Sequence, residues 1–124
     1  MCSSDLRLTR PPRIFHVNWF RRDAQGKFLW PGFGDNLRVL AWMLQRYTGN
    51  VGASDSAIGR LPRSEDLNIQ GLNVSADALR ALLTVDPTLW RKEVADVRSY
   101  LEQFGSRLPG QLLQQLNATE AGLR

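Results

Sequence analysis

The stretch that decides the fold is residues 19–36, which read WFRRDAQGKFLWPGFGDN. It contains five of the 11 aromatic residues in the chain and three of its glycines. Asp23–Gly26 is typical of a turn, because glycine adopts positive φ without steric cost. The residues before the turn, Arg13–Arg21, alternate in character with a period of two, and Lys27–Trp30 forms a short return segment. The sequence therefore predicts a β-hairpin built from these two segments.

Outward from this stretch, the next residues predict a helix. Asp35 or Asn36 can cap it, and Gly49 is a natural stop. Apolar residues follow at spacings of three, four and three, which places them on one helical face. These residues are Leu37, Leu40, Leu44 and Tyr47.

Three more helices are predicted in the second half of the chain. Ser75 caps one, Asp86 followed by Pro87 starts the next, and Pro109 opens the last. Residues 50–71 contain several glycines and a proline and are expected to be mostly irregular. The predicted fold class is mixed α/β: a β-hairpin and a glycine-aromatic loop followed by about four helices.

Length and composition restrict the possibilities further. The 124 residues suit one domain, and 43% hydrophobic with 23% charged residues argues against general disorder. No apolar run approaches the roughly 18 residues of a membrane-spanning helix. One cysteine and one histidine exclude an internal disulfide framework and two-histidine zinc motifs.

The N-terminal ten residues differ from the rest of the chain. They are polar and show no periodicity, so residues 1–10 are expected to be a non-native or disordered leader that precedes the folded part of the chain at residues 11–124. The start also lacks the apolar stretch of a secretory signal, which makes the cytoplasm the expected location.

The net charge of +4 is unevenly distributed. Residues 1–62 carry +5, and residues 63–124 carry −1. All basic residues except two are arginines, which suit planar and phosphate-bearing partners. A GC-rich genome would also favour arginine codons, and composition alone does not separate these explanations.

The residue types in the 19–36 stretch suit a purine pocket. Aromatic faces stack on bases, and the amide of Asn36 offers both a donor and an acceptor to a base edge. Arg21, Arg22 and Lys27 are available to attract phosphate. Compact packing of an aromatic hairpin explains the same residues, and the Gly-rich phosphate-loop spacings are absent from the sequence.

The order of residues adds a family resemblance. The runs at 14–21 and 26–36 closely resemble the C-terminal region of GTP-dependent phosphoenolpyruvate carboxykinases. The resemblance continues from about residue 10 to the end of the chain. Further matching positions are Arg38–Leu40, Trp42, Ile58–Arg60, Pro62, Leu67, Gly71–Leu72 and the helical stretch from Asp86 to about Leu116.

The resemblance implies the reversible conversion of oxaloacetate and GTP to phosphoenolpyruvate, GDP and carbon dioxide. Such an enzyme serves gluconeogenesis, uses Mn2+ and Mg2+, and is expected to be monomeric, with no membrane or nucleic-acid partner. By resemblance Phe20, Phe28 and Phe33 enclose the guanine, with Trp19 beside them. Phe33, Gly34, Asp35 and Asn36 fall on the family's nucleotide-contacting F-G-E-N run, and Asn36 falls on the residue that hydrogen-bonds guanine. Asp35 departs from the family's usual glutamate, which leaves a side-chain contact there in doubt.

The family's phosphate loop, metal ligands and reactive cysteine lie upstream of the matching region, and none of those motifs occurs in this sequence. We therefore expect the C-terminal part of a larger nucleotide-binding catalytic domain, with no catalytic residue and no metal ligand in this chain. Two alternatives remain at this stage. One is a single-stranded nucleic-acid-binding module that uses the same aromatic and arginine residues, and the other is a purely structural helical module.

Overall fold

A computed structural model describes residue 9 and residues 11–124. The leader expected at residues 1–10 therefore lies outside the described residues, Thr9 excepted. The described chain contains a two-stranded hairpin, four α-helices and three single turns of 3-10 helix, which confirms the mixed fold class. The elements are β1 (Ser54–Ser56), β2 (Gly59–Leu61), α1 (Asn36–Thr48), α2 (Ala76–Leu83), α3 (Pro87–Glu102) and α4 (Gly110–Gly122), with 3-10 turns at Phe33–Asp35, Ser64–Asp66 and Gly105–Arg107.

The described residues form two compact bodies, each with its own core. The first body comprises residues 13–55 and 60–84, and the second comprises residues 56–59 and 85–124. Burial removes apolar surface from water, and each body does so around three buried side chains. These are Trp42, Leu67 and Leu79 in the first body, and Val94, Leu116 and Leu123 in the second.

The helix boundaries agree with those predicted from the sequence, but one predicted cap does not form: Asp35 lies at the N-cap of α1, and its side chain makes no capping hydrogen bond. The Ser75 hydroxyl accepts a hydrogen bond from the Ala78 N–H at 3.1 Å, which satisfies a free donor at the start of α2. The Asp86 carboxylate accepts from the Thr88 and Leu89 N–H groups at 2.8 and 3.3 Å. Gly49 ends α1 with a φ of 81°, a left-handed conformation that favours glycine.

The predicted strands at Arg13–Arg21 and Lys27–Trp30 are wrong. The turn between them forms, but pairing is limited to one antiparallel bridge between Arg22 and Phe28. The period of two is found only in the first segment, and a strand also needs a partner to pair with. The return segment that would be this partner is short, because Pro31 follows it. His16, which lies in the first of these two segments, is exposed.

The regular hairpin lies instead at β1 and β2, within the segment expected to be mostly irregular. Ser54–Ser56 has no apolar alternation to mark it as a strand. The hairpin is closed by local polar contacts: the Ser56 hydroxyl donates to the Gly59 carbonyl at 2.6 Å, and Arg60 Nε lies 3.1 Å from Asp55 Oδ1.

The apolar face predicted for α1 is present but is not its buried face. Leu37 and Leu44 are 71% and 68% exposed, whereas Trp42 is 5% exposed. The helix packs into the core of the first body through Trp42, with Met43 partly buried beside it. None of the helices in the described ranges is long and apolar enough to cross a membrane.

Candidate functional site

A cavity of about 990 Å³ lies within the first body, and the 19–36 stretch supplies most of its lining. Its volume is at the upper end of the range of roughly 300–1,000 Å³ that small-molecule sites occupy. The remaining lining residues come from the segment that leads into α2 and from its first turn. These are Asn73, Val74, Ser75 and Ala78.

Exposed aromatic rings form part of this cavity. Phe20 and Phe28 pack edge to face, with ring centroids 6.1 Å apart and an interplanar angle of 63°. Phe33 also lines the cavity, and it is 92% exposed. Rings that remain exposed in the folded chain keep their faces available for a flat ligand.

The turn between Phe20 and Phe28 is held by one carboxylate. Asp23 Oδ1 accepts hydrogen bonds from the N–H groups of Gln25 and Lys27, both at 2.9 Å. The Gly26 N–H donates to the Asp23 carbonyl at 3.0 Å, with Gly26 at a φ of 81°. These bonds fix the two phenylalanines on opposite arms of a closed turn, so their pairing follows from the local sequence.

Asn36 lies at the start of α1 and lines the same cavity. Its Oδ1 accepts a hydrogen bond of 2.8 Å from the indole Nε1 of Trp30. Trp30 is 7% exposed, and its ring packs against that of Trp19 with centroids 6.2 Å apart. A buried side chain therefore holds the one amide that the sequence singled out as a base reader.

Gly34 and Asp35, the other two predicted site residues, are not among the residues that line the cavity. The Asp35 carboxylate forms an ion pair with Arg38, with Oδ1 and Nε 3.0 Å apart. Arg38 also donates through Nη1 to the Asn68 carbonyl at 2.8 Å. The acidic side chain at position 35 thus supports the entry into α1.

The three basic residues of the stretch have different surroundings. Arg21 donates to the carbonyls of Leu82 and Thr84 at 3.2 and 3.3 Å, which ties the stretch to the end of α2. The Arg22 guanidinium lies over the Phe28 ring, 4.2 Å from its centroid. Lys27 lines the cavity. Of the three, Lys27 is the cation placed in the cavity wall.

The structure brings five of the seven predicted site residues to one cavity: Trp19, Phe20, Phe28, Phe33 and Asn36. Sequence reasoning missed the contribution of residues 73–78 and the role of Trp30 beside Asn36. The only local signal for the former was Ser75, whose side chain marks a helix start. Nothing in the sequence indicates that this helix start meets a stretch some 40 residues earlier.

Metal ligands are not grouped in the part of the chain that the structure describes. No three His, Cys, Asp or Glu side chains lie close enough together there to hold an ion. Protein sites for Mg2+ or Mn2+ need oxygen or imidazole donors. The described residues therefore do not fit a divalent ion held by this protein alone.

The family model described as the phosphoenolpyruvate carboxykinase C-terminal P-loop domain matches residues 2–122. Curated relatives include the phosphoenolpyruvate carboxykinase [GTP] of Treponema pallidum (strain Nichols), which is 50% identical over 119 residues. That alignment covers 95% of this chain and 19% of the relative. The enzyme of the same name from Chlamydia trachomatis serovar D is 49% identical over 114 residues, with 91% and 19% covered.

The similarity extends to a relative of slightly lower identity. The phosphoenolpyruvate carboxykinase [GTP] of Anaeromyxobacter dehalogenans is 45% identical over 109 residues, which cover 88% of this chain and 18% of that relative. The chain thus spans about a fifth of the length of the curated relatives that it matches. Because the family model covers nearly the whole chain, the chain belongs to the GTP-dependent phosphoenolpyruvate carboxykinase family, within its C-terminal P-loop domain.

Proposed function

We propose that this chain is the guanine-recognition segment of a phosphoenolpyruvate carboxykinase that converts oxaloacetate and GTP to phosphoenolpyruvate, GDP and carbon dioxide. The observation that carries the proposal is the meeting of Trp19, Phe20, Phe28, Phe33 and Asn36 at one cavity. The family match supports it, because these are the positions at which the resemblance expects the base.

The base stacks on phenylalanine rings. Phe33 is almost fully exposed and offers its face at little desolvation cost, while the Phe20–Phe28 pair contributes a second aromatic surface. Stacking of this kind contributes about 1–3 kcal/mol per base. It does not distinguish guanine from adenine, so the distinction falls to the Asn36 amide at the base edge.

The phosphates extend from the base toward groups that this chain does not supply. Among the described residues, Lys27 is the one basic side chain that lines the cavity, and it attracts the nucleotide's negative charge. A phosphate loop and divalent ions are needed for the transfer of a phosphoryl group. In the parent enzyme, Mn2+ and Mg2+ would supply this charge stabilisation and would be held by residues outside the described ones.

Gly34 acts through its backbone, and Asp35 acts through its contact with α1. A Cβ placed on Gly34 would meet no atom of the described residues within 4 Å, apart from those of its chain neighbours. Asp35 positions the first turn of α1 through its ion pair with Arg38, and Asn36 begins that turn. This assignment explains how aspartate serves where the family more often has glutamate.

The parent enzyme is a gluconeogenic, monomeric, cytoplasmic protein that has no nucleic-acid partner. The relatives described above align with 88–95% of this chain and are carboxykinases. They therefore support neither the single-stranded nucleic-acid alternative nor the structural-module alternative.

The test is nucleotide binding by the whole chain, measured by isothermal titration calorimetry with GDP and with ADP. We expect GDP to bind more tightly than ADP, and Phe33→Ala to weaken GDP binding by about tenfold, the lower part of the stacking range. Phe104→Ala is the matched control, since Phe104 is also exposed (42%) but lies outside the cavity. It should leave the GDP dissociation constant unchanged.

Equal binding of GDP and ADP, or equal effects of Phe33→Ala and Phe104→Ala, would overturn the proposal. A titration with single-stranded oligonucleotide at several salt concentrations tests the nucleic-acid alternative. That alternative requires tight binding that weakens steeply with salt.

A further inference from the structure

We infer that Trp30 is a positioning residue that sets the orientation of the Asn36 amide and thereby makes this site selective for purines with an oxygen at position 6. The inference rests on the proposed guanine site and adds to it a residue outside the set expected to contact the nucleotide. Trp30 lines the cavity and is 7% exposed. Trp30 contributes by fixing the orientation of the Asn36 side-chain amide.

The chemistry of the indole fixes that direction. The indole N–H is a donor and never an acceptor, so the atom that faces it must be the amide oxygen. The observed contact, Trp30 Nε1 to Asn36 Oδ1 at 2.8 Å, has this polarity. The Asn36 Nδ2 group has no hydrogen bond to any of the described residues and is the half of the amide left for a ligand.

Trp30 is itself held firmly. It is one of the most buried aromatic residues of the first body, and its ring packs against Trp19 at a tilt of 43°. It lies between the turn that carries Phe28 and the 3-10 turn that begins at Phe33. A side chain in this position cannot swing away to let the amide rotate without disturbing the packing of the cavity wall.

The orientation matters because the two purines differ in polarity at position 6. Guanine carries an acceptor oxygen there, whereas adenine carries an amino donor. An amide that presents only its NH2 group pairs with the guanine oxygen and meets the adenine amino group donor to donor. Without the indole N–H, rotation of the amide by half a turn presents the oxygen instead, and the site accepts adenine.

The experiment compares Trp30→Phe with Trp42→Phe in the whole chain, using GDP and ADP as the two probes in calorimetric titrations. Phenylalanine keeps an aromatic ring at position 30 and removes the donor. Trp42 is the matched control, because it is 5% exposed and its Nε1 has no partner among the described residues, so its replacement removes no hydrogen bond. Circular dichroism melts establish that both variants are folded.

We expect Trp30→Phe to lower the preference for GDP over ADP by about tenfold, as the loss of one polar match predicts. Trp42→Phe should keep the wild-type ratio. If Trp30 acts in packing alone, Trp30→Phe weakens the binding of GDP and of ADP by the same factor. An unchanged ratio of the GDP and ADP affinities in Trp30→Phe would therefore overturn the inference. If the wild-type chain itself shows no preference, the proposed guanine site fails instead.

A second measurement needs no nucleotide. Hydrogen exchange of the Trp30 indole N–H, followed by NMR, should be slow in the wild type and in Asn36→Asp, and fast in Asn36→Ala. Aspartate keeps an acceptor oxygen toward Trp30 but has no NH2 group, so Asn36→Asp should lose the preference for GDP while the indole stays protected. Rapid exchange of the Trp30 indole in the wild type would contradict the inference whatever the chain binds.

Discussion

Arg38 links two parts of the first body that are distant in sequence. Its Nε pairs with Asp35 just before α1, and its Nη1 donates to the Asn68 carbonyl. The side chains of Arg38 and Asp35 are only 24% and 33% exposed, so water screens this contact less than it screens a surface pair. The ion pair Arg80–Asp77 has the same spacing of three residues, but its side chains are 74% and 88% exposed.

The residue-scale prediction compares these two arginines. Arg38→Ala should lower the free energy of unfolding by about 1–2 kcal/mol, because it removes a charge-assisted hydrogen bond as well as the ion pair. Arg80→Ala should change it by less than about 0.5 kcal/mol. Urea unfolding followed by far-UV circular dichroism measures both. Equal effects of the two substitutions would contradict a linking role for Arg38.

At the scale of elements, α1 has two apolar faces, of which one is buried and the other is exposed. Trp42 lies in the core of the first body with Leu79 of α2 and Leu67. The stripe of α1 that contains Leu44 is exposed to solvent. The contribution of an apolar side chain to stability grows with the apolar area that it buries. A buried leucine and an exposed leucine should therefore respond differently to truncation.

Leu79→Ala should destabilise the chain by about 2–4 kcal/mol, because Leu79 is buried and its loss leaves a cavity. Leu44→Ala removes the same atoms from a side chain that is 68% exposed, and should change stability by less than about 0.5 kcal/mol. Denaturant midpoints of the two variants provide the measurement. A large loss in Leu44→Ala would mean that the exposed stripe is covered in solution.

The features predicted correctly from the sequence are those set by local chemistry. The cap at Asp86 and the stop at Gly49 depend on atoms within a few residues, so residue type alone is sufficient. The turn at Asp23–Gly26 is local in the same sense. The residue types and their order in the 19–36 stretch also singled out residues that line the cavity, and the binding role of these residues stays a prediction.

The features that the sequence did not predict depend on partners far along the chain. The alternation before the turn suggested a strand, but Phe15 instead packs its ring edge to face against Trp42, at 6.2 Å between centroids. The short β1–β2 hairpin has no apolar pattern to reveal it. The sequence also did not reveal the hydrogen bond between Trp30 and Asn36. Packing of aromatic residues already accounted for Trp30, and capping of a helix already accounted for Asn36.

At the scale of the whole molecule, the proposed function places recognition of the nucleotide and catalysis in different parts of the sequence. The chain spans about a fifth of its curated relatives, and the Gly-rich phosphate-loop spacings are absent from its sequence. The described residues bring no three metal-binding side chains together. Under the proposed function, this segment selects the nucleotide, and other parts of the whole enzyme supply the groups that stabilise charge during phosphoryl transfer.

We therefore expect the chain alone to form no phosphoenolpyruvate from oxaloacetate and GTP in the presence of Mn2+ and Mg2+. A coupled assay for phosphoenolpyruvate provides the measurement, with the Treponema pallidum relative as the positive control. Turnover above the background without protein would show that catalytic groups are present in this chain after all.

The most direct test of the central claim is to map the GDP site by NMR on the isotope-labelled chain. With increasing GDP, we expect the ring signals of Phe20, Phe28 and Phe33 and the side-chain NH2 of Asn36 to shift together along one binding curve. Signals from residues 85–124 should stay in place. If GDP binds while these four side chains do not move, or if the shifts are confined to residues 85–124, the guanine site lies elsewhere and the account is wrong.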